Sequence, residues 1–158
     1  MKSFEKVDSM EAFALQTLKG HPNITKLLFD IKVGNQQHIV LEYSSGGDLC
    51  TLLKKIGPLS EKFSANLAGQ LVAGLKHIHD EKFAHLDLNP SNLLLHSPLP
   101  RLFVQTYNPK ESRFDDEITH DFVELKIGDF GLATRENRMR GGFGNFHYMA
   151  PEILVSLL

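Results

Sequence analysis

The chain has few of the residues that mark disulfide-rich or strongly charged proteins. It has 158 residues, no tryptophan, one cysteine (Cys50) and a formal net charge of −2. A single cysteine excludes an internal disulfide and favours a reducing compartment. A charge balance this close to neutral offers no basic surface for nucleic acid or for an anionic membrane. We therefore expect a cytoplasmic protein without a nucleic-acid partner.

Long apolar runs are absent as well. No stretch approaches the roughly 18 uninterrupted apolar residues of a membrane span. The first ten residues mix basic and acidic side chains with no apolar run, unlike a secretory signal. The length suits one domain with one core. We therefore predict a single domain with no membrane segment.

Apolar spacing predicts a mixture of helices and strands. It indicates an amphipathic helix near residues 3–19, ended by Gly20. Six further elements are predicted in chain order: strands over 26–33 and 38–43, helices over 49–56 and from 60 onward, and strands over 93–95 and 125–128. The segment between His96 and Glu124 contains three prolines and an acidic run. We predict a disordered surface insertion there, with a docking loop as the alternative.

Three short motifs follow one another in a fixed order. They are HLDLNPSN at residues 85–92, DFG at 129–131 and APE at 150–152. The carboxylate of Asp87 could accept a proton from a hydroxyl, while Asp129 and Asn92 offer oxygen ligands that suit Mg²⁺. One such residue alone would more simply cap a turn. In this order and spacing they favour phosphoryl transfer, and the chain resembles a protein kinase domain.

The resemblance implies a fold and an activity. The fold would be α+β, a partial form of the bilobal kinase fold, with the end of the small lobe at 1–43 and the first half of the helical lobe at 44–158. The activity would be that of a serine/threonine protein kinase, with ATP and Mg²⁺ as cofactors and a protein as substrate. Residues 41–49 and 57–61 are similar to those of autophagy-initiating serine/threonine kinases.

The resemblance also implies roles for individual residues. The catalytic set is Asp87 as base with Asn92 and Asp129, the last two also binding metal. The nucleotide set is Leu41, Glu42 and Ser44 around the adenine, Asp48 at the ribose, Leu94 as the pocket floor, and Glu11. The regulatory stack of buried side chains is Leu15, Leu27, His85 and Phe130.

Glu11 lies within the apolar stripe of the first predicted helix. Burying a carboxylate there without a partner costs several kcal/mol or forces it to take up a proton. In kinases the matching Glu pairs with a Lys on the preceding strand, and that Lys orients the phosphates. We expect neither Lys2 nor Lys6 to take that role, because both are close to Glu11 and on the same predicted helix. The alternative is a solvated Glu at the edge of the stripe.

The chain departs from the kinase pattern at several positions. We expect neither a Gly-rich phosphate loop nor a strand with its phosphate-orienting Lys before the first helix. Leu86 replaces the usual Arg before the catalytic Asp, and Asn89 and Asn145 replace a Lys and a Thr that face each other near the acceptor hydroxyl in the family. The apolar end at 153–158 has nothing after it to cover it, so we expect a partner or aggregation there.

These departures leave two alternatives to an active kinase. One is a catalytically inactive, kinase-like binding module. The other is an incomplete chain, lacking parts of the domain at both ends, with no independent function. Transfer that depends on Asp87 would separate the active kinase from both alternatives.

Overall fold

The computed structural model describes residues 2–4, 10–96, 107–108, 113–114, 123–135 and 144–155. The helices are α1 Met10–Thr17, α2 Leu49–Ile56, α3 Glu61–Asp80 and α4 Pro151–Val155. The strands are β1 Lys2–Phe4, β2 Leu27–Val33, β3 Gln36–Leu41, β4 Phe83–Ala84, β5 Leu93–His96, β6 Tyr107–Asn108, β7 Arg113–Phe114, β8 Glu124–Ile127 and β9 Thr134–Arg135. The predicted α+β class is confirmed.

The first helix is shorter than predicted. An antiparallel sheet in the order β1-β3-β2 begins the fold, and Lys2 lies opposite Ile39 in its register. The prediction of one helix near 3–19 is therefore wrong for residues 3 and 4, and so is the placement of Lys2 on the helix of Glu11. The backbone of β1 pairs with a strand far along the chain, and apolar periodicity cannot reveal such a partner. Lys6 lies outside the described residues.

Side-chain caps explain where α2 and α3 begin. The Asp48 carboxylate accepts a hydrogen bond from the Thr51 backbone N–H at 2.8 Å. Likewise, the Ser60 hydroxyl accepts one from the Phe63 N–H at 3.3 Å. Such caps satisfy N–H groups that have no partner within the helix. Both helices lie where the sequence predicts them, and α3 presents Phe63 and Ile78 to the core.

The core lies between the helices and the β5–β8 ladder. In that ladder Leu93 pairs with Ile127 and His96 with Glu124. The largest fully buried side chains come from several elements: Phe63, Phe83, Phe130, Leu15, Leu18, Ile78, Leu95, Leu125 and Ile127. This packing fixes the start of β5, which follows the HLDLNPSN motif, and the end of β8, which precedes the DFG motif.

The predicted insertion is not wholly without regular structure. Strands β6 and β7 pair antiparallel, with Tyr107 opposite Phe114. The prediction of disorder is wrong for these four residues, because the two strands pair with each other. The other residues of 97–122 lie outside the described ranges. None of the helices described is long and apolar enough to cross a membrane.

Candidate active site

The Asp87 carboxylate is held by two neighbouring segments. The Asn92 side-chain amide donates to Asp87 Oδ2 at 2.9 Å and to the Asp87 carbonyl at 2.7 Å. On the other side, the Asn145 backbone N–H donates to Asp87 Oδ1 at 3.0 Å. These bonds engage both carboxylate oxygens and fix the orientation of the side chain. Asp87 is half-buried, so its carboxylate is oriented and still reachable.

His85 is the buried first residue of the catalytic loop, which is the HLDLNPSN motif at residues 85–92. Its side chain is 2% exposed, and its ring packs edge-on against Phe130 at 4.8 Å between centroids. Nε2 donates to the Gly128 carbonyl at 2.9 Å, and Nδ1 accepts from the Asp87 N–H at 3.3 Å. Burial is the main cause that lowers the pKa of His85, more than the Gly128 hydrogen bond raises it. A neutral His85 therefore links the loop to the strand end before Asp129.

Hydrogen bonds at Gly128 connect the segments that carry the three residues predicted to be catalytic, Asp87, Asn92 and Asp129. The Gly128 N–H donates to the Asn92 carbonyl at 2.9 Å. Asp129, the next residue, is exposed and has a left-handed backbone with φ of 57°. Such a conformation costs about 1 kcal/mol or more in a non-glycine residue. The hydrogen bonds of Gly128 to His85 and Asn92 hold the backbone directly before Asp129, and so support this left-handed conformation.

The oxygen donors at this point fit a magnesium ion that arrives with nucleotide. The Asn92 amide nitrogen is committed to Asp87, so its oxygen is the atom left to bind a cation. Within the described ranges, no three His, Cys, Asp or Glu side chains cluster as a ready-made metal site. Mg²⁺ does not need such a cluster, because one or two protein oxygens plus substrate phosphates complete its coordination shell. Asn92 and Asp129 are a suitable pair for this arrangement.

Residues 42–47, which by the resemblance form the hinge that contacts adenine through its backbone, lie directly against β5. Gly46 N–H donates to the Leu95 carbonyl at 2.8 Å, and Leu95 N–H donates to the Gly47 carbonyl at 2.8 Å. A side chain at Gly46 would bring its Cβ within 2.8 Å of the Leu95 oxygen, so the close approach requires glycine. Leu94, on β5, lies close to the segment before Asp129, since its Cδ1 would be 3.0 Å from a Cβ placed on Gly128.

The remaining predicted nucleotide residues have mixed environments. Leu41, Glu42 and Ser44 are half-buried. The Asp48 carboxylate serves as the cap of α2 and also accepts from the Thr51 hydroxyl at 2.8 Å. Burial raises the pKa of Asp48, but the hydrogen bonds from Thr51 outweigh it and hold the pKa below its ordinary value. Contact of Asp48 with a ribose stays a prediction.

Glu11 faces the protein interior. It is 2% exposed, which excludes the alternative of a solvated carboxylate at the edge of the stripe. All members of the predicted regulatory stack are also buried: Leu15, Leu27, His85 and Phe130. Helix α1 contacts the turn that begins with Phe130. The helix that carries Glu11 is thereby connected to the segment that carries Asp129.

A cavity of about 480 Å³ opens beside Asp87. Its other lining residues are Asn89, Leu132, Gly144, Asn145, Phe146 and His147. Gly144 has φ of 107°, and a Cβ there would lie 2.4 Å from the Leu86 carbonyl oxygen. We call the chain between the DFG and APE motifs the activation segment. Only glycine at position 144 allows this segment to approach the catalytic loop so closely.

Asn89 and Asn145, the two unusual residues, both border this cavity but are engaged locally. Asn89 accepts from the Ser91 N–H at 2.9 Å and donates to the Asp87 carbonyl at 3.2 Å. Asn145 accepts from the His147 N–H at 3.1 Å. Their amides thus shape the loops, and neither supplies the cation that a Lys at position 89 would bring.

Sequence reasoning missed Lys126. Its side chain is 8% exposed, and its ammonium lies 3.1 Å from a Glu42 carboxylate oxygen. The available signal was a charged residue at the centre of the apolar run Leu125–Ile127. A lysine there must either leave the core or find a partner.

Comparison with known proteins gives the class to which this geometry belongs. The sequence model of the protein kinase domain matches residues 2–157. The chain belongs to the protein kinase family, as the three motifs indicate. The kinase-like α+β prediction is confirmed.

Its relatives include named serine/threonine kinases. Serine/threonine-protein kinase ATG1a of Arabidopsis thaliana is 36% identical over 137 residues, covering 85% of this chain and 18% of that protein. ATG1c of the same plant is 35% identical, covering 91% and 17% respectively. Probable serine/threonine-protein kinase KCC4 of Saccharomyces cerevisiae is 32% identical, covering 90% and 12%. The chain spans less than a fifth of the length of these relatives.

Proposed function

We propose that this chain is a serine/threonine protein kinase, transferring the γ-phosphoryl group of ATP to a protein hydroxyl. The observation that carries the proposal is the Asp87 carboxylate, fixed by Asn92 and Asn145 at the mouth of the 480 Å³ cavity. Family membership and the names of the relatives support the same activity. Residues 1–43 and 44–158 are proposed to correspond to parts of the two kinase lobes.

Asp87 is proposed to act as the base. The acceptor hydroxyl oxygen forms a bond to the γ-phosphorus, while the bond between that phosphorus and the bridging oxygen breaks. The hydroxyl proton passes to the Asp87 carboxylate, and ADP leaves with the electron pair of the broken bond. Phosphoryl transfer depends mainly on positioning and on charge stabilisation. The hydrogen bonds from Asn92 and Asn145 provide that positioning for the base.

Asn92 and Asp129 are proposed to hold Mg²⁺ through their side-chain oxygens. The ion would neutralise charge on the phosphates when the nucleotide is bound. The protein's own contribution is to hold the two donors near Asp87, through the bonds that join Gly128 to Asn92 and His85.

The nucleotide base is proposed to lie against the hinge. Leu41 and Leu94 would border the adenine, the backbone around Glu42 and Ser44 would contact its polar edge, and Asp48 would lie near the ribose. Glycines at 46 and 128 support this arrangement, because they let the hinge and the segment before Asp129 come close to β5.

The test of the proposed function is transfer of labelled γ-phosphate to a protein acceptor. Asp87→Asn should lower the rate by about 10²–10⁴, the usual contribution of a general base, while ATP binding persists. Asp80→Asn is the matched control, because Asp80 is exposed on α3 and should leave the rate unchanged. Equal rates for Asp87→Asn and the wild type would contradict the proposal.

A binding module without catalysis is the second candidate. The observation that favours it is the local engagement of Asn89 and Asn145, which leaves no lysine ammonium beside Asp87 in the described acceptor cavity. An electrostatic stabiliser of that kind is typically worth about 10²–10³ in rate. Wild-type protein that binds ATP and transfers no phosphate would establish this second candidate.

A further inference from the structure

Lys126 carries a buried positive charge that the proposed chemistry does not use. Its ammonium donates to the Pro22 carbonyl at 3.1 Å and lies 3.1 Å from Glu42 Oε1 and 3.5 Å from Glu124 Oε2. The ammonium therefore has one hydrogen bond to a carbonyl and two carboxylates close enough to pair its charge. A buried charge is retained only when it is paired and hydrogen-bonded in this way.

The contacts of Lys126 join three separate segments. Pro22 belongs to the turn after α1, Glu42 follows β3 at the start of the hinge, and Lys126 itself lies on β8. Glu42 is fixed further by Lys26, whose N–H donates to the Glu42 carboxylate at 2.7 Å and whose carbonyl accepts from the Glu42 N–H at 2.9 Å. The hinge and the strand that leads to Asp129 are therefore tied through one side chain.

We infer that Lys126 is a positioning residue that sets the spacing between the hinge at Glu42 and the metal-binding carboxylate of Asp129. This inference depends on the proposed function. The nucleotide has one end on the hinge and its phosphates at Asp129, so it engages both ends only when their spacing is correct. An error of about 1 Å between reacting groups can cost 10²-fold in rate.

The surroundings of Lys126 make this effect separable from packing. A cavity of about 340 Å³ adjoins the ion pair and is lined by Lys126, Glu42 and Pro22 among others. Methionine has nearly the same length as lysine and fits irregular space. Lys126→Met therefore removes the charge and its bonds and preserves the volume.

The experiment compares two ligands by calorimetry, adenosine and ATP with Mg²⁺. Adenosine depends on the hinge alone, whereas ATP with Mg²⁺ depends on the hinge and Asp129 together. For Lys126→Met we expect ATP affinity to fall by about 2- to 30-fold, with adenosine affinity nearly unchanged. Lys126→Arg, which keeps the charge, should recover part of the loss. Lys76→Met, which removes the same group from an exposed pair on α3, should change neither affinity.

The other outcomes overturn the inference. Equal losses for adenosine and ATP would mean that Lys126 has only a structural role, and no loss would mean that it has no role at the site. If Lys126→Met does not unfold cooperatively, Lys126→Gln, which removes the charge but keeps an N–H donor, is measured in its place and should show the same selective loss. A wild-type chain that does not bind ATP would contradict the proposed function itself. Wild-type binding with an unselective variant contradicts only the inference.

Discussion

The nucleotide side and the acceptor side of this site are built very differently. On the nucleotide side, Phe130 is fully buried and His85 is 2% exposed. On the acceptor side, Phe146 is 66% exposed and Tyr148 is 56% exposed. A hydrogen bond from Asn145 to Asp87 connects the acceptor side to the catalytic loop.

The difference indicates which part of the site the chain organises by its own packing. The segments that carry the residues proposed to meet ATP and Mg²⁺ are fixed by core contacts of their neighbours and by backbone bonds between β5, β8 and the hinge. Residues that would meet the protein acceptor depend on a few surface contacts. Changes on the acceptor side should therefore alter transfer with little effect on stability, and changes on the nucleotide side should alter both.

The largest expected effect comes from a pair of identical substitutions on the two sides. Phe130→Ala should lower the free energy of unfolding by about 3–5 kcal/mol, because it leaves a cavity in the core. Phe146→Ala should change it by no more than about 0.5 kcal/mol, as is usual for exposed positions. Urea denaturation measures both values. Similar losses in the two variants would remove the distinction between the sides.

The next effect concerns the close approach at Gly144. In Gly144→Ala, the new Cβ would clash with the Leu86 carbonyl oxygen, so the activation segment must move away from Asp87. Transfer should fall by about 10²-fold with unchanged affinity for ATP. Gly69→Ala is the control, because nothing lies within 4 Å of a Cβ at that helical position. A matching loss of ATP affinity in Gly144→Ala would show that the two sides are not separable.

A smaller effect is expected from restoring the usual pair at the acceptor site. Asn89→Lys together with Asn145→Thr should raise the transfer rate more than the two single changes combined. Residues that act as a pair show coupling of about 0.5–3 kcal/mol in a double-mutant cycle. Steady-state rates of the four proteins give that coupling. Strictly additive effects would mean that the two positions do not act together.

The smallest effect is a pH dependence of stability that arises from His85 on the nucleotide side and from His21, which follows α1. Burial lowers the pKa of His85, and burial together with His77 lowers that of His21. The unfolded chain takes up these protons first, so stability is complete above about pH 6.5 and falls as pH drops below it. Melting temperatures between about pH 8 and 5.5 should show this trend. His21→Gln should reduce it, because this change removes one of the two groups whose pKa the fold lowers.

The parts of the fold that sequence could predict are those set by local rules. Caps at Asp48 and Ser60 begin α2 and α3, and apolar spacing gives the length of α3. The hydrogen bonds between Asp87 and Asn92 also lie within one short motif. Sequence pattern alone was sufficient where the determining contacts are close in the chain.

The parts that could not be predicted depend on distant partners. β1 exists because its backbone pairs with β3, and Lys126 is buried because Pro22 and Glu42 lie beside it in space. Neither partner is marked by a motif or by a periodic pattern. For Lys126, the charge within an apolar strand was the available signal, and its meaning required the positions of the carbonyl and carboxylate.

The most direct test of the central claim is thermal unfolding of the chain with and without ATP and Mg²⁺. A ligand at about 100 times its dissociation constant stabilises the folded state by roughly 2.7 kcal/mol. If the nucleotide side is organised by the chain's own packing, unfolding is cooperative and the melting temperature rises clearly with ATP and Mg²⁺. A cooperative transition that does not move, or no cooperative transition at all, would contradict that claim.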